Sequence, residues 1–370
     1  MDQHQIIEEF IHMAQIDTVS RQEREIVDYV KTQLTELGCT VTEDDAATAI
    51  EGATAGNVFA VLDGGLEGSV FFCAHLDRVQ NGFGIRPQIE DGELRSGGDT
   101  ILAADDLSGV AAILDGLRRL KAGGNPFPRV EVYFSVCEEI GLQGSRHFNT
   151  DMIASKFGYV LDSPGRVGRV LRSAMGKAQL FADVTGMAAH AAYPERGKSA
   201  LRAMVKLLAS IDDGRVDEET VINWSYLDCP APCNTIPERA EAKAFAMSRN
   251  NETLRQYIAN FHETAQKIAE ETGCKIETRD ILDYYAFHTA DDSPCVRLAQ
   301  EVFRQMDISF SLEDGAGGFD ANNLAKCGIE LVGLATGYSA NHTVCEVLVV
   351  DDLIQSGKMV EQIALLYPTV

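Results

Sequence analysis

The feature that most constrains this chain is a set of short, almost wholly apolar runs: Asn57–Leu62, Ser69–Ala74, Val130–Cys137 and Phe157–Leu161. Each is followed closely by polar or charged residues. Runs of this length without alternating polar positions predict strands covered on both faces, and a stretch of helical spacing from Leu107 to Leu120 separates the second run from the third. Buried strands alternating with helices define an α/β layer around a central parallel or mixed sheet. Nearer the start, Ser20 followed by Glu23 reads as a capping box. Ile26, Val27, Val30, Leu34 and Leu37 then recur at helical spacing until Gly38, which predicts a helix over 20–37.

The pattern changes at Gly176. Strand 177–185, helix 198–211, strands 220–228 and 240–248, helix 252–272 and strand 275–283 give the order βαββαβ, that of a ferredoxin-like α+β module. Helix 291–306, a strand near 308–312, a helix after Gly318, strand Glu330–Ala335 and helix 351–366 then resume the α/β pattern. The chain has 370 residues, more than the roughly 250–300 that one core organises. The reading is one α/β domain made of 1–175 and 284–370, with 176–283 inserted.

Composition narrows the function. The chain carries 32 Lys+Arg against 56 Asp+Glu, a net charge of −24, which argues against a nucleic-acid partner because such binding needs clustered cations. Met1-Asp2-Gln3-His4 opens no basic, then apolar, leader, and no stretch approaches the about 20 apolar residues of a membrane span. The nine cysteines are scattered, and the one close pair, Cys229 and Cys233, has no second pair to complete a tetrahedral zinc site. This is the usage of reduced thiols, and a cytoplasmic location is the expectation.

Five segments place polar residues where strands end: His75-Leu76-Asp77, Ala104-Asp105-Asp106, Cys137-Glu138-Glu139-Ile140-Gly141, Leu161-Asp162-Ser163-Pro164-Gly165 and Ser339-Ala340-Asn341-His342. Singly, each also reads as a capped turn or a helix start. In an open α/β sheet, however, ligands gather at the carboxyl ends of strands. Five carboxylates brought together there would repel unless a cation offset them, and two imidazoles among them make a mixed N/O set suited to zinc, or to cobalt or manganese.

In these segments the chain resembles the co-catalytic zinc exopeptidases, the family that contains peptidase T, glutamate carboxypeptidase, succinyl-diaminopimelate desuccinylase and acetylornithine deacetylase. The resemblance spans nearly the whole chain and is greatest to the peptidase T-like branch. It implies two metal ions per subunit, with His75 and Asp162 on one, Glu139 and His342 on the other, and Asp105 bridging. Asp77 then accepts the His75 ring N–H, and Glu138 is the general base. Many relatives have Lys where this chain has Leu107, so no role of that Lys carries over.

In the inserted domain, His190 resembles the family histidine that reaches the partner subunit's active site and stabilises the oxyanion; a loop histidine reads the same way in sequence. Arg249 and Asn234 match positions that grip substrate, although Arg249 also fits an exposed strand-end charge. Gly317-Gly318-Phe319-Asp320 resembles a glycine turn near the metals, where a helix N-terminus could hold an anion or Asp320 could simply cap a helix. The resemblance implies a homodimer through the inserted domain. It also implies cleavage of short peptides, with tripeptide aminopeptidase activity foremost. Dipeptidase, carboxypeptidase and N-acyl-amino-acid amidohydrolase activity, or a non-catalytic binding protein on the same fold, remain as alternatives.

Overall fold

Four parallel strands, in the spatial order Phe127–Ser135, Gly65–His75, Phe157–Ser163 and Glu330–Ala335, form the middle of a mixed sheet in the computed structural model, which describes residues 4–367. Met1-Asp2-Gln3, part of the stretch read above for a leader, lies outside the described residues. The central strands are the apolar runs of the sequence. Phe71, Phe72, Cys73 and Ala74 are fully buried, as expected of a strand covered on both faces. Antiparallel strands extend the sheet: Val58–Leu62 and then Thr40–Glu43 on one side, and Arg169–Ala174 beyond Glu330–Ala335 on the other, with Ser311–Asp314 parallel to it.

Helices Ala104–Gly123, Val350–Leu366 and His4–Gln15 pack together in this unit. Ala104–Gly123 stops where Gly124 takes a left-handed conformation, φ 67°, which glycine adopts without the steric cost of a Cβ. Leu107 is fully buried in the core, where it serves as an apolar packing residue.

The chain divides into two units. One runs to Ala174 and resumes at His288; the other is Met175–Phe287. The second is a sheet of antiparallel strands in the order Thr220–Asp228, Arg239–Ser248, Gly176–Thr185 and Lys275–Tyr284, with Gly214–Arg215 at the edge beside Thr220–Asp228. Alternate residues Ala178, Leu180, Ala182 and Val184 are buried against helices Ala200–Ala209 and Asn251–Thr272. The longer helix presents Leu254, Tyr257, Phe261, Ala265 and Ile268 to that core at helical spacing, and the Asn250 side chain caps it by accepting from Glu252 and Thr253 N–H at 2.9 and 3.2 Å.

One local expectation is overturned. The second helix begins at Arg24, not at position 20, and Ser20 and Glu23 form no capping box. Longer-range partners take both side chains: Ser20 Oγ donates to Asp77 Oδ2 at 2.6 Å, and Glu23 Oε1 accepts from Cys137 N–H at 3.1 Å.

Candidate binuclear metal centre

His75 ends the strand Gly65–His75, Asp162 lies near the end of Phe157–Ser163, and Glu138 and Glu139 follow Phe127–Ser135. Parallel alignment puts these three carboxyl ends on one edge of the sheet. Asp105 arrives from the start of helix Ala104–Gly123, and His342 from the turn after Tyr338-Ser339. They line a cavity of about 360 Å³ together with Arg169, Tyr338, Asn341 and the Gly315–Gly318 turn. A larger cleft, about 890 Å³, lies beside Lys156, Phe157 and Glu330 at the opposite strand ends and contains none of the paired imidazoles.

Two trios of side chains converge, His75 with Asp105 and Asp162, and Asp105 with Glu139 and His342; within each, the candidate ligand atoms lie within 4.8 Å of one another. Asp105 is shared. Its Oδ1 lies 3.1 Å from His75 Nε2 and its Oδ2 3.2 Å from His342 Nε2, while His342 Nε2 is also 2.9 Å from Glu139 Oε1. Asn341 Nδ2 donates to Asp105 Oδ2 at 2.6 Å.

The electrostatics follow from this crowding. Burial pushes the Glu138, Glu139 and Asp162 carboxyls above their ordinary range. Burial alone would raise Asp105 too, but the facing imidazoles of His342 and His75 outweigh it and hold Asp105 well below the usual carboxylate range. Contact with Asp105 and Glu139 raises His342 to about 10. The donors fit two divalent cations: each trio offers one imidazole and two carboxylates, one carboxylate is common to both, and the acids are too buried to ionise together without positive charge.

The supporting side chains differ in part from expectation. His75 Nδ1 is 2.9 Å from the Asp77 main-chain oxygen but 3.6 Å from the Asp77 carboxylate, so the carbonyl is the nearer partner for the ring N–H. The carboxylate instead accepts from Glu138 N–H at 2.8 Å, from Glu139 N–H at 3.2 Å and from the Ser20 hydroxyl. Asp320 caps nothing: its carboxylate accepts from the Ser135 hydroxyl, and the helix after it, Ala321–Leu324, is a single turn. Sequence reasoning passed over Glu346, which accepts from the N–H groups of Leu102, Ala103 and Asp105 at 2.7, 3.0 and 3.1 Å and so fixes the turn carrying Asp105. An acid four residues after His342 was its only trace in the sequence.

Of the residues expected in the inserted unit, His190 and Asn234 come together. His190 pairs with Thr235, and Ala191 N–H donates to the Asn234 carbonyl at 2.8 Å. His190 is exposed, and its Nδ1 accepts from Ala192 N–H at 3.1 Å. Arg249 follows the other end of strand Arg239–Ser248, with its N–H on the Glu219 carbonyl.

Residues 172–273 match the M20 peptidase dimerisation domain, and residues 57–207 match peptidase family M28. The Bacillus subtilis protein YqjE is 32% identical over 97% of both chains. The crystal structure of aminopeptidase PepT from Bacillus cereus superposes with a TM-score of 0.94 at 33% identity, covering 98% of each chain. The chain belongs to the peptidase T-like M20 metallopeptidases. A Staphylococcus aureus tripeptidase superposes on this M20 peptidase with a TM-score of 0.95, at 27% identity over 100% of this chain and 99% of that one. Peptidase T of Salmonella arizonae is 23% identical over 97% of this chain and 98% of its own. No helix among the described residues of the M20 peptidase is long and apolar enough to cross a membrane.

Proposed function

We propose that this chain is a cytoplasmic exopeptidase that releases the N-terminal residue of tripeptides, using two zinc ions. His75 and Asp162 would hold one, Glu139 and His342 the other, with Asp105 shared. Cobalt or manganese would suit the same donors. The observation that carries the reading is a pair of imidazole–carboxylate trios joined through Asp105, with a further buried carboxyl, Glu138, beside them and outside both. Likeness to the B. cereus aminopeptidase and the S. aureus tripeptidase supports the substrate class.

When bound, the ions supply Lewis acidity, polarising the scissile carbonyl and making a water molecule easier to deprotonate. The protein's own residues do the rest. Glu138 is 7% exposed, lines the cavity and has its pKa pushed up by burial. A carboxylate of raised basicity is suited to taking the proton of the attacking water and delivering it to the leaving amine. Asp77 orients this base by accepting from its main-chain N–H. His190 would donate to the developing oxyanion, with Asn234 beside it gripping the substrate, and Arg249 would bind the peptide carboxylate through both oxygens.

We place His190 in the partner subunit's site. Beyond Ile222 the outer edge of strand Thr220–Asp228 has no strand partner among the described residues, and Tyr226 and Leu227 are exposed there, as are Leu201 and Val205 on helix Ala200–Ala209. An open edge flanked by apolar side chains suits pairing with a second copy. Arg249 and the His190–Asn234 pair belong to opposite ends of the ten-residue strand Arg239–Ser248, an arrangement that favours their reaching one short peptide from different subunits.

The test is a panel of dipeptides, tripeptides and N-acyl amino acids offered to the zinc-loaded protein, with products identified. Free N-terminal residue from tripeptides is the expected product. Preferred cleavage of dipeptides or acyl amino acids would reassign the substrate; no hydrolysis by fully loaded protein would overturn the reading.

A further inference from the structure

Glu138 and Glu139 are consecutive, yet both line the same cavity. In an extended strand, neighbouring side chains point to opposite faces, so the backbone must turn before them. It does so at Cys137, which holds a left-handed conformation, φ 54°, unfavourable for a residue with a Cβ by roughly 1–2 kcal/mol. Something outside the turn has to stabilise that conformation.

The segment Thr18–Glu23 is placed to do so. It first binds the strand end that carries His75: Arg78 N–H donates to the Thr18 carbonyl at 3.1 Å, Ser20 N–H to the Arg78 carbonyl at 3.2 Å, and Thr18 Oγ1 to the Leu76 carbonyl at 2.9 Å. Ser20 Oγ donates to the Asp77 carboxylate, whose two oxygens in turn accept from Glu138 and Glu139 N–H. Glu23 Oε1 then closes the circuit, accepting from Cys137 N–H and Sγ, both at 3.1 Å, and from Arg21 N–H at 2.8 Å. Ser20, Glu23 and Asp77 are buried at 6%, 0% and 0% exposure. All three successive residues of the turn, Cys137, Glu138 and Glu139, therefore donate their N–H groups to carboxylates anchored by this one segment.

We propose that Ser20 and Glu23 are positioning residues for hydrolysis: they fix the Cys137–Glu139 turn so that the base and a candidate metal ligand, adjacent in sequence, aim into one site. Neither touches the substrate. The inference rests on the reading of Glu138 as base and Glu139 as ligand, and extends it to a segment more than a hundred residues away in sequence.

The test compares Glu23→Ala, Glu23→Gln and Ser20→Ala with the unaltered protein and with Glu138→Ala, all as folded, metal-loaded enzyme. Glu23→Ala should lower kcat at least tenfold with KM within twofold and metal content unchanged. Glu23→Gln, which keeps an acceptor oxygen, should recover most of the loss. The visible spectrum of the cobalt-loaded protein should shift in Glu23→Ala and return in Glu23→Gln, a readout independent of turnover. If Glu23→Ala does not fold, Ser20→Ala is judged by the same kcat and spectral criteria. Unchanged kcat and spectrum in a folded Glu23 or Ser20 variant would overturn the proposal, as would activity that falls only in step with metal content. Full turnover by Glu138→Ala would count against the base assignment, while the cobalt spectra would still decide whether Glu23 sets the turn.

Discussion

The Tyr338 hydroxyl donates to Oδ1 of Asp162 at 3.1 Å, while the other oxygen, Oδ2, faces His75 Nε2 at 4.0 Å. One oxygen of the candidate ligand is thus committed to the protein and the other is directed into the site. Partners that orient a ligand typically contribute about 10–100-fold to metal affinity. Tyr338→Phe should therefore weaken binding of the ion held by His75 and Asp162 about tenfold or more, leaving the second ion less affected. Competition titration with a chelating dye, resolving two binding steps, checks this.

Gly109 lies in the helix that follows Asp105. A Cβ there would come 2.5 Å from Asp106 Oδ1 and 2.8 Å from the Leu161 carbonyl. Asp106 Oδ2 accepts from His75 N–H at 3.1 Å, so the clash would press on the backbone of two candidate ligands, His75 and Asp162. Gly109→Ala should destabilise the protein by about 1–3 kcal/mol, as overpacking does, and lower its metal affinity. Denaturant unfolding and the same dye titration measure both; a variant as stable and as tight-binding as the parent would refute the expectation.

Burial pushes the Glu23 carboxyl up, from 4.5 to about 7. A group whose folded pKa is raised binds its proton more readily in the native state, so its contribution is greatest at low pH, falls between about 4.5 and 7 and is lost above that. In the metal-free protein, Glu23→Gln should remove this dependence. Its stability relative to the parent should rise by up to roughly 3 kcal/mol between pH 5 and pH 8. Parallel unfolding midpoints across that range would contradict the expectation.

Leu227 is 49% exposed on the open strand edge and Val205 52% exposed on helix Ala200–Ala209 of the same unit. Charges at exposed positions need not disturb the fold, but they would be stranded in an apolar interface. Leu227→Lys combined with Val205→Glu should shift the protein to monomer, read by sedimentation, and should reduce turnover if His190 acts across the interface. A dimer of unchanged stability would remove this face from the interface.

The fold was largely legible because its signals are local. The strand Glu330–Ala335 and the strand Thr220–Asp228 stand where their apolar patterns place them, and the βαββαβ order of the insert follows from periodicity alone. The clustering of His75, Glu139 and Asp162 was legible because each lies at or just past the end of a parallel strand, while Asp105 at a helix start and His342 in a turn joined them through the resemblance. What could not be read were partners far apart in sequence. Ser20 and Glu23 have the spacing of a helix cap, but a buried carboxylate and an open turn compete for them and take them. Nothing near Asp77 in sequence tells that its main-chain oxygen lies nearer the imidazole than its carboxylate does. Glu346 likewise acquires its role only when the turn at Leu102–Asp105 folds against it.

The strand Glu330–Ala335 lies inside the sheet, between Phe157–Ser163 and Arg169–Ala174, although the whole insertion separates it from both in sequence. During synthesis the ribosome releases the insertion while this slot is still vacant, and His342 emerges later still. A hydrolytic centre laid out in this way cannot exist on a growing or truncated chain. The last candidate ligand, His342, joins the other four only after the insertion and the strand Glu330–Ala335 have been made.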